Sequence, residues 1–180
     1  MIEFENPTGI RIDQLAEGDS YWENRLRSLM REECSSISVH LAVFIEPYLT
    51  YILNGQKTIE SRFSSRRFAP YQRIRSGDII FLKQSGGPIT GLCEVDDAWF
   101  YQLDDNAWNI IKREFATALC AQDPEFWNAR KSASYATLIR VFNVISIRPV
   151  FIEKRDRRGW VLLQERCIQP SLIEWNLLVR

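Results

Sequence analysis

The segment 45–78 constrains the fold more than any other, because it predicts a short helix followed at once by a charged strand. Pro47 suits the first helical position, where its missing N–H costs nothing. The apolar residues that follow fall three and four apart, so they share one face of a helix that runs to about Asn54. Gly55 suits the left-handed position after a helix end. The glycine therefore ends the helix just before the charged strand begins.

Residues 57–63 are predicted to form that strand, whose side chains alternate between two faces. Thr58, Glu60 and Arg62 then point one way, and Lys57 points the other way. A carboxylate and a guanidinium two residues apart on one face can pair with each other, or they can jointly hold a polar ligand. A structural or surface ion pair is the alternative explanation of the same spacing.

The rest of the chain supplies further strands and helices, marked by apolar runs between Gly, Pro and Asp turns. These patterns predict strands at residues 36–45, 79–83, 89–101, 135–147 and 160–163, and helices at 19–33, 104–119, 123–131 and 170–180. The predicted fold class is therefore α+β, with a strongly curved, mixed or mostly antiparallel sheet and helices against its outside. Sheets of this kind commonly close into a small barrel.

The ordered motifs resemble the ASCH domain, a family of the PUA-like superfamily. The resemblance depends on the Pro-Tyr helix, the string Gly-x-Lys-Thr-Ile-Glu-x-Arg at 55–62, the string Tyr-x-x-Ile-x-x-Gly-Asp at 71–78, and an Arg-rich turn before Trp160. It covers about residues 38–163. The resemblance implies a PUA-like pseudobarrel with a cleft between the barrel and its flanking helices.

Two regions are expected: an N-terminal extension at residues 1–36 and the ASCH domain at residues 37–180. The extension contains an amphipathic helix, whose apolar positions include Tyr21, Trp22 and Leu26. We expect this helix to pack on the domain. A helix that binds a protein partner is the alternative, and with it a role for the chain as a protein-interaction or coactivator module.

The formal net charge is zero, which argues against nucleic-acid binding through global charge. The charge is nevertheless uneven along the chain. Between residues 57 and 75, Glu60 is the one acidic residue among six basic ones: Lys57, Arg62, Arg66, Arg67, Arg73 and Arg75. This distribution suits one basic face on a neutral protein, although arginines that are solvated or paired locally give the same pattern.

The predicted site has three residues that line an open cleft and three near its mouth: Lys57, Glu60 and Arg62, and then Arg66, Tyr71 and Trp160. Arginine forks match phosphate, aromatic faces stack on bases, and a carboxylate accepts hydrogen bonds from a base amino group. An unpaired base is the natural ligand, because a paired base hides its edge. The resemblance also implies RNA binding or nucleobase recognition, so we expect a partner of that class: single-stranded RNA or a nucleoside or nucleotide. A core tryptophan is the alternative for Trp160.

Enzymatic alternatives follow from the same resemblance, with Lys57 and Glu60 as the catalytic candidates. One branch of small ASCH-like proteins resembles an amidohydrolase that acts on acylated cytidines through a Lys, Thr and Glu constellation. Lys57 matches that lysine, but the threonine position is occupied by Glu60, and Thr58 lies two residues early. Another branch resembles enzymes that cut RNA, for which Arg62 would add a charge stabiliser. Glu46 is a further departure, because a basic residue is expected before the Pro-Tyr pair.

Other classes of protein have little support in the sequence. The one histidine, His40, is expected to be structural, and neither a metal site nor a cofactor motif is predicted. The four cysteines lie far apart, and residues 1–8 lack the features of a secretory signal, so reduced thiols and a cytoplasmic location are expected. No apolar run is long enough for a membrane span.

Overall fold

The computed structural model describes residue 16 and residues 18–31, 35–152 and 157–167. Within these ranges it contains four helices and six strands: α1 (Ser20–Arg31), β1 (Val39–Phe44), α2 (Tyr48–Leu53), β2 (Ile59–Ser64), β3 (Ile79–Gln84), β4 (Ile89–Gln102), α3 (Asp105–Phe115), α4 (Pro124–Asn128), β5 (Tyr135–Val150) and β6 (Trp160–Gln164). The helix predicted at residues 170–180 lies outside the described residues.

The six strands form one sheet in the order β2-β5-β4-β3-β1-β6. β1 and β3 are parallel, and the other neighbouring pairs are antiparallel. Three register shifts interrupt the long pairing of β4 with β5, and such irregularities bend a strand and increase its twist. The sheet therefore curls into a half-barrel with helices outside it. The predicted α+β class, with a curved mixed sheet, is confirmed.

Gly91 lets α2 approach this sheet closely. A Cβ atom at that position would lie 2.5 Å from the Leu53 side chain and 2.9 Å from the Ile145 carbonyl oxygen. No side chain fits at such distances without moving its neighbours. The absence of a side chain at Gly91 thus permits close packing of α2 on the sheet. α2 leads directly into the charged segment before β2.

The amphipathic helix α1 packs its apolar face against the sheet, as predicted. Trp22 and Leu26 are buried in a core cluster with residues of β1, β3 and β4. The Trp22 Nε1 donates a hydrogen bond to the Asn143 carbonyl oxygen at 3.0 Å, and the Arg25 Nε lies 2.7 Å from the Glu94 Oε1. These buried residues are not available to another protein, so a protein partner for the remaining face of α1 stays a prediction.

The two helices after β4 begin where the sequence predicts. Asp104 and Asp123 each accept a hydrogen bond from a backbone N–H of the first turn, and Pro124 takes the first position of α4. Three of the later elements end away from the predicted residue. α3 ends at Phe115 instead of near residue 119, α4 ends at Asn128 instead of near residue 131, and β5 continues through Pro149 to Val150. The aspartate caps fix where these two helices start, whereas the last turn of a helix frays and has no such marker in this sequence.

The cysteines depart from the expectation of reduced thiols throughout. Cys93 and Cys120 are free, but Cys167 is half of a disulfide bond. The expectation is therefore wrong for Cys167, because scattered positions in a sequence do not show which thiols the fold brings together. Among the described residues, none of the helices has the length and apolar character needed to cross a membrane.

Candidate functional site

The Lys57 side chain is buried immediately before β2, with 2% of its surface exposed. Its Nζ donates hydrogen bonds to the carbonyl oxygens of Ile59 at 2.6 Å and Leu119 at 3.2 Å. Burial lowers the pKa of the Lys57 ammonium below its usual value, because a desolvated charge is costly, and the Glu60 carboxylate opposes this shift. The lysine is therefore closer to losing its proton than a surface lysine.

Glu60 lies between two cations. Its Oε2 is 3.4 Å from the Lys57 Nζ, and its Oε1 is 2.8 Å from the Arg62 Nε. The prediction that Lys57 points away from Glu60 is wrong, because β2 begins only at Ile59 and Lys57 lies outside the strand alternation. The three charged residues thus meet on one side of β2, where Glu60 itself is buried.

The Arg62 guanidinium is held between two aromatic rings. Its carbon lies 4.9 Å from the Phe44 ring centroid and 5.1 Å from that of Trp160, and Nη1 donates to the Gly159 carbonyl oxygen at 3.1 Å. Nε and Nη2 are buried and donate no hydrogen bond within the described part of the chain. The contact of Nε with Glu60 is therefore an ion pair whose N–H is not aimed at the oxygen. Arg62 thus has two buried guanidinium nitrogen atoms without a hydrogen-bond acceptor among the described residues, which is an uncommon state for buried donors.

Trp160 is a fixed wall beside Arg62. Its Nε1 donates to the His40 Nδ1 at 3.1 Å, and the His40 Nε2 lies 3.2 Å from the Asp78 Oδ2. Because Nδ1 accepts a hydrogen bond, Nε2 carries the proton, and His40 is a neutral donor to Asp78. Asp78 also binds the Arg166 guanidinium at 2.7 Å. His40 therefore orients Trp160 and has the structural role that the sequence predicts.

A cavity of about 430 Å³ opens beside the buried lysine, and we name it the Lys57 cavity. Aromatic and charged side chains dominate its lining: Phe44, Tyr48, Phe63 and Phe126 are the aromatic ones, and Lys57, Glu60, Arg62 and Arg130 are the charged ones. Small-molecule sites in proteins commonly measure about 300–1,000 Å³. The volume of the Lys57 cavity thus falls within the range of small-ligand sites.

A smaller cavity of about 190 Å³ adjoins the first, and we name it the Trp160 cavity. Arg62 and Phe63 line both cavities. Trp160, Thr137 and the exposed ring of Phe68 line the smaller one. Arg62 therefore forms part of the wall of both cavities.

The remaining two predicted site residues line neither cavity. Arg66 is exposed in the loop after β2. Tyr71 is largely buried, and its ring centroid lies 5.7 Å from that of Phe100 and 5.1 Å from that of Tyr135. The structure thus brings Lys57, Glu60 and Arg62 together in one cavity, places Trp160 in the adjoining one, and leaves Arg66 and Tyr71 apart.

A sequence profile of the ASCH domain matches residues 44–151 of the chain. The chain belongs to the ASCH domain family. Its curled sheet and flanking helices also match the crystal structure of ASCH from Zymomonas mobilis, with a TM-score of 0.51 and 14% identity over 62% of this chain and 72% of that one. A mutant ZmASCH protein from the same organism matches with a TM-score of 0.58 and 11% identity over 80% and 96% of the two chains. At these identities the likeness shows the fold alone. No curated protein sequence matches the chain.

Sequence reasoning missed two residues of this ASCH domain's Lys57 cavity, Phe126 and Arg130. The Arg130 guanidinium carbon lies 3.7 Å from the centroid of the Phe126 ring. Burial lowers the pKa of the Arg130 guanidinium, and the charge of Glu60 is among the groups that oppose the shift. The Asp-Pro helix start and the spacing of four between the two residues place them on one helical face. That local signal does not reveal which part of the sheet the face meets.

The ASCH domain shows no metal site among the residues that the structure describes. No group of three or more His, Cys, Asp or Glu side chains in these ranges is arranged to hold an ion. The acidic member of the Lys57 cavity, Glu60, contacts two cations instead. The charged groups of the cavity thus suit an organic ligand with hydrogen-bonding edges or negative charge.

Proposed function

We propose that this ASCH domain binds an unpaired nucleobase in the Lys57 cavity, either in single-stranded RNA or in a modified nucleoside. The observation that carries the proposal is the combination of the charged trio Lys57, Glu60 and Arg62, of which the first two are buried, with aromatic rings around one cavity of about 430 Å³. Flat ligands with polar edges match that combination. Such cavities hold ligands by apolar contact and orient them with a few polar groups.

The aromatic rings supply contact area for a base. Phe44, Tyr48, Phe63 and Phe126 line the Lys57 cavity, and stacking on an aromatic ring is worth about 1–3 kcal/mol per base. Every base has a π-face, so this part of the interaction is independent of sequence. The rings therefore supply affinity more than choice between bases.

The charged trio supplies selection by hydrogen bonding. A carboxylate has about four lone-pair positions, so Glu60 can still accept from a base amino group while it contacts Lys57 and Arg62. The Arg62 guanidinium lines the same cavity and suits an acceptor on a base or a phosphate. These groups lie within a cavity, where a base paired in a duplex cannot present its edge. The proposal is therefore restricted to unpaired bases.

Arg62→Ala is expected to weaken the binding of short single-stranded RNA by about tenfold or more, because a charge-assisted contact and a cavity wall are both lost. Ala129→Phe is expected to weaken binding to a similar extent, since the exposed Ala129 lines the Lys57 cavity and a ring there would fill it. Fluorescence anisotropy with labelled oligonucleotides, at low and at moderate salt, measures both effects.

Arg140→Ala is the matched control, because it removes an exposed arginine that pairs with Asp96 outside the cavity. Its RNA affinity is expected to equal that of the unmodified protein. If the two cavity variants also bind RNA as tightly as the unmodified protein does, the Lys57 cavity is not the binding site and the proposal fails.

Hydrolysis of acylated cytidine or of RNA is a second candidate function, favoured by the state of Lys57. A lysine with a lowered pKa, 3.4 Å from a carboxylate, can exchange a proton with a reacting group. The neutral amine is the form that accepts a proton. Activity that uses Lys57 as a base should therefore rise with pH as the lysine loses its proton, with a midpoint below the ordinary lysine value of 10.5.

Lys57→Met is expected to abolish release of cytidine from N4-acetylcytidine, because the neutral side chain cannot take up a proton. Chromatography of the products, at several pH values, measures the reaction. Thr58→Ala is the control, since Thr58 is exposed and lies outside the Lys57 cavity, and it should keep full activity. Absence of product with the unmodified protein, on acetylcytidine and on single-stranded RNA alike, would exclude this second function for these substrates.

A further inference from the structure

We propose that Arg130 forms an anion site in the Lys57 cavity and that the ligand is therefore a nucleotide with a phosphate group, not a bare nucleoside. This inference depends on the proposed binding function and adds the chemical class of the ligand. Neither the resemblance of the sequence nor the match to the ASCH profile assigns a role to Arg130.

The fold places Arg130 at the cavity by a short and well-capped helix. The Asp123 side chain accepts from the Glu125 backbone N–H at 2.8 Å, and Pro124 begins α4. After α4 ends, the Arg130 backbone N–H donates to the Trp127 carbonyl oxygen at 3.0 Å and continues the turn. Arg130 thus follows Phe126 by four residues, on the face that lines the Lys57 cavity.

Among the described cationic residues of the Lys57 cavity, Arg130 is the one that no described carboxylate contacts. Among the residues that the structure describes, three cationic side chains and one carboxylate line it, and that carboxylate, Glu60, already contacts both Lys57 and Arg62. Within the described ranges, no carboxylate lies within ion-pair distance of Arg130, although the residue is half-buried. A half-buried guanidinium with no described carboxylate in direct contact is a suitable partner for an anionic group of a ligand.

The guanidinium is also held in place before any ligand arrives. Its carbon atom lies 3.7 Å from the centroid of the Phe126 ring, and Nη1 donates to the Phe126 carbonyl oxygen at 2.6 Å. This contact uses one of the five N–H groups of an arginine. The remaining donors can bind two phosphate oxygens in the fork geometry that lysine lacks. Little side-chain entropy is lost on binding, because the side chain is already ordered.

The alternative is that Arg130 only covers the Phe126 ring. A covering role needs the alkyl stem and the ring contact but no ligand charge. The two roles make different predictions for ligands that differ in one phosphate. A covering arginine gives equal affinity for a nucleoside and its monophosphate, and an anion site does not.

Isothermal titration of the full chain with cytidine, uridine, adenosine and guanosine, and with their 5′- and 3′-monophosphates, distinguishes the two roles. For the preferred base we expect the monophosphate to bind at least about tenfold more tightly than the nucleoside. Arg130→Gln is expected to remove that preference, so that the nucleoside and its monophosphate bind this variant equally tightly. Arg113→Gln is the matched control, because it removes an exposed arginine that pairs with Glu114, and it should keep the preference.

Each outcome has a defined meaning. If the unmodified protein binds the nucleoside and the monophosphate with equal affinity, the proposed anion site is overturned. Nucleobase binding is still supported in that case. This comparison needs no variant. A phosphate preference that persists in Arg130→Gln also overturns the proposal. Binding of neither ligand, together with no binding of single-stranded RNA, overturns the proposed function and this inference with it. Thermal melts of each variant establish that the compared proteins are folded.

Discussion

Replacement of Glu60 by leucine is expected to lower the free energy of unfolding by about 3–5 kcal/mol, because removal of one partner from a buried ion pair leaves an uncompensated charge. Two cations lose their counter-ion in this variant: Lys57, 3.4 Å from the Glu60 carboxylate, and Arg62, 2.8 Å from it. Lys57 can lose its proton in this variant, since its pKa is already lowered, and the neutral amine is less unfavourable to bury than the ammonium. Arg62 cannot, because a guanidinium does not deprotonate in proteins.

Adding Lys57→Met to the Glu60→Leu variant should restore part of the lost free energy of unfolding. We expect the double variant to be more stable, by about 0.5–3 kcal/mol, than the sum of the two single effects, because the second change removes a charge that the first left unpaired. Urea unfolding followed by circular dichroism measures all three variants. Glu114→Leu, which removes an exposed carboxylate paired with Arg113, should change stability by less than about 1 kcal/mol.

Additive effects of the two single changes would contradict this account, since they would show that Lys57 and Glu60 do not interact energetically. Non-additive effects have a consequence for function as well. Well-packed apolar groups often replace a buried ion pair with little cost. A stable double variant that no longer binds RNA would therefore indicate that the charged trio is kept for its ligand and not for the fold.

The sequence predicts the charged trio but not its arrangement. The string at 55–62 places Lys57, Glu60 and Arg62 close together by covalent distance alone. The strand alternation then predicts opposite faces for Lys57 and Glu60, which is wrong because the strand begins two residues after the lysine. Strand ends are set by pairing with a neighbour, here β5, more than 70 residues later in the chain. Local periodicity therefore cannot place a residue that lies at the end of a strand.

For Arg130 and Trp160, too, local sequence patterns predict the element but not the place of the side chain in the fold. The cap and the proline predict α4, and the Arg-rich turn predicts the approach to β6, so the elements that carry both residues are predictable. The curl of the sheet brings Arg130 to the cavity and Trp160 to the guanidinium of Arg62. That curl depends on register shifts between β4 and β5, and a single sequence does not specify them.

Asp78 has a local role in a turn, which the sequence predicts, and contacts with distant segments, which the sequence does not predict. The Gly77-Asp78 pair predicts a turn before a strand, and the turn is present, since the Arg75 backbone N–H donates to the Asp78 carboxylate. The same carboxylate accepts from the Ser38 backbone N–H at 2.8 Å and pairs with Arg166 at 2.7 Å. Those partners lie 40 and 88 residues away. Asp78 thus connects three separate segments at a fully buried point.

Asp78→Ala is expected to lower the free energy of unfolding by about 3–5 kcal/mol, because the partly buried Arg166 guanidinium loses its carboxylate partner and further buried donors are left unsatisfied. His40 is one of those donors, and it also orients Trp160. For a chain of this size, about 1 kcal/mol shifts the melting temperature by about 2–4 °C, so a decrease of roughly 10 °C is expected in a thermal melt. The buried hydrogen bonds, more than the turn, are the reason for the expected size of the effect.

Asp78→Asn and Asp96→Ala distinguish this explanation from a general sensitivity to loss of acidic residues. The amide keeps an acceptor for a backbone N–H but loses the charge opposite Arg166, so we expect an intermediate loss of stability. Asp96 pairs with Arg140 on the surface, with 49% of its side chain exposed, and its replacement should cost less than about 1 kcal/mol. Equal melting temperatures for the Asp78→Ala and Asp96→Ala variants would show that the buried network does not hold the segments together. A large difference would show that the buried network around Asp78, which includes the contact of His40 with Trp160, stabilises the fold.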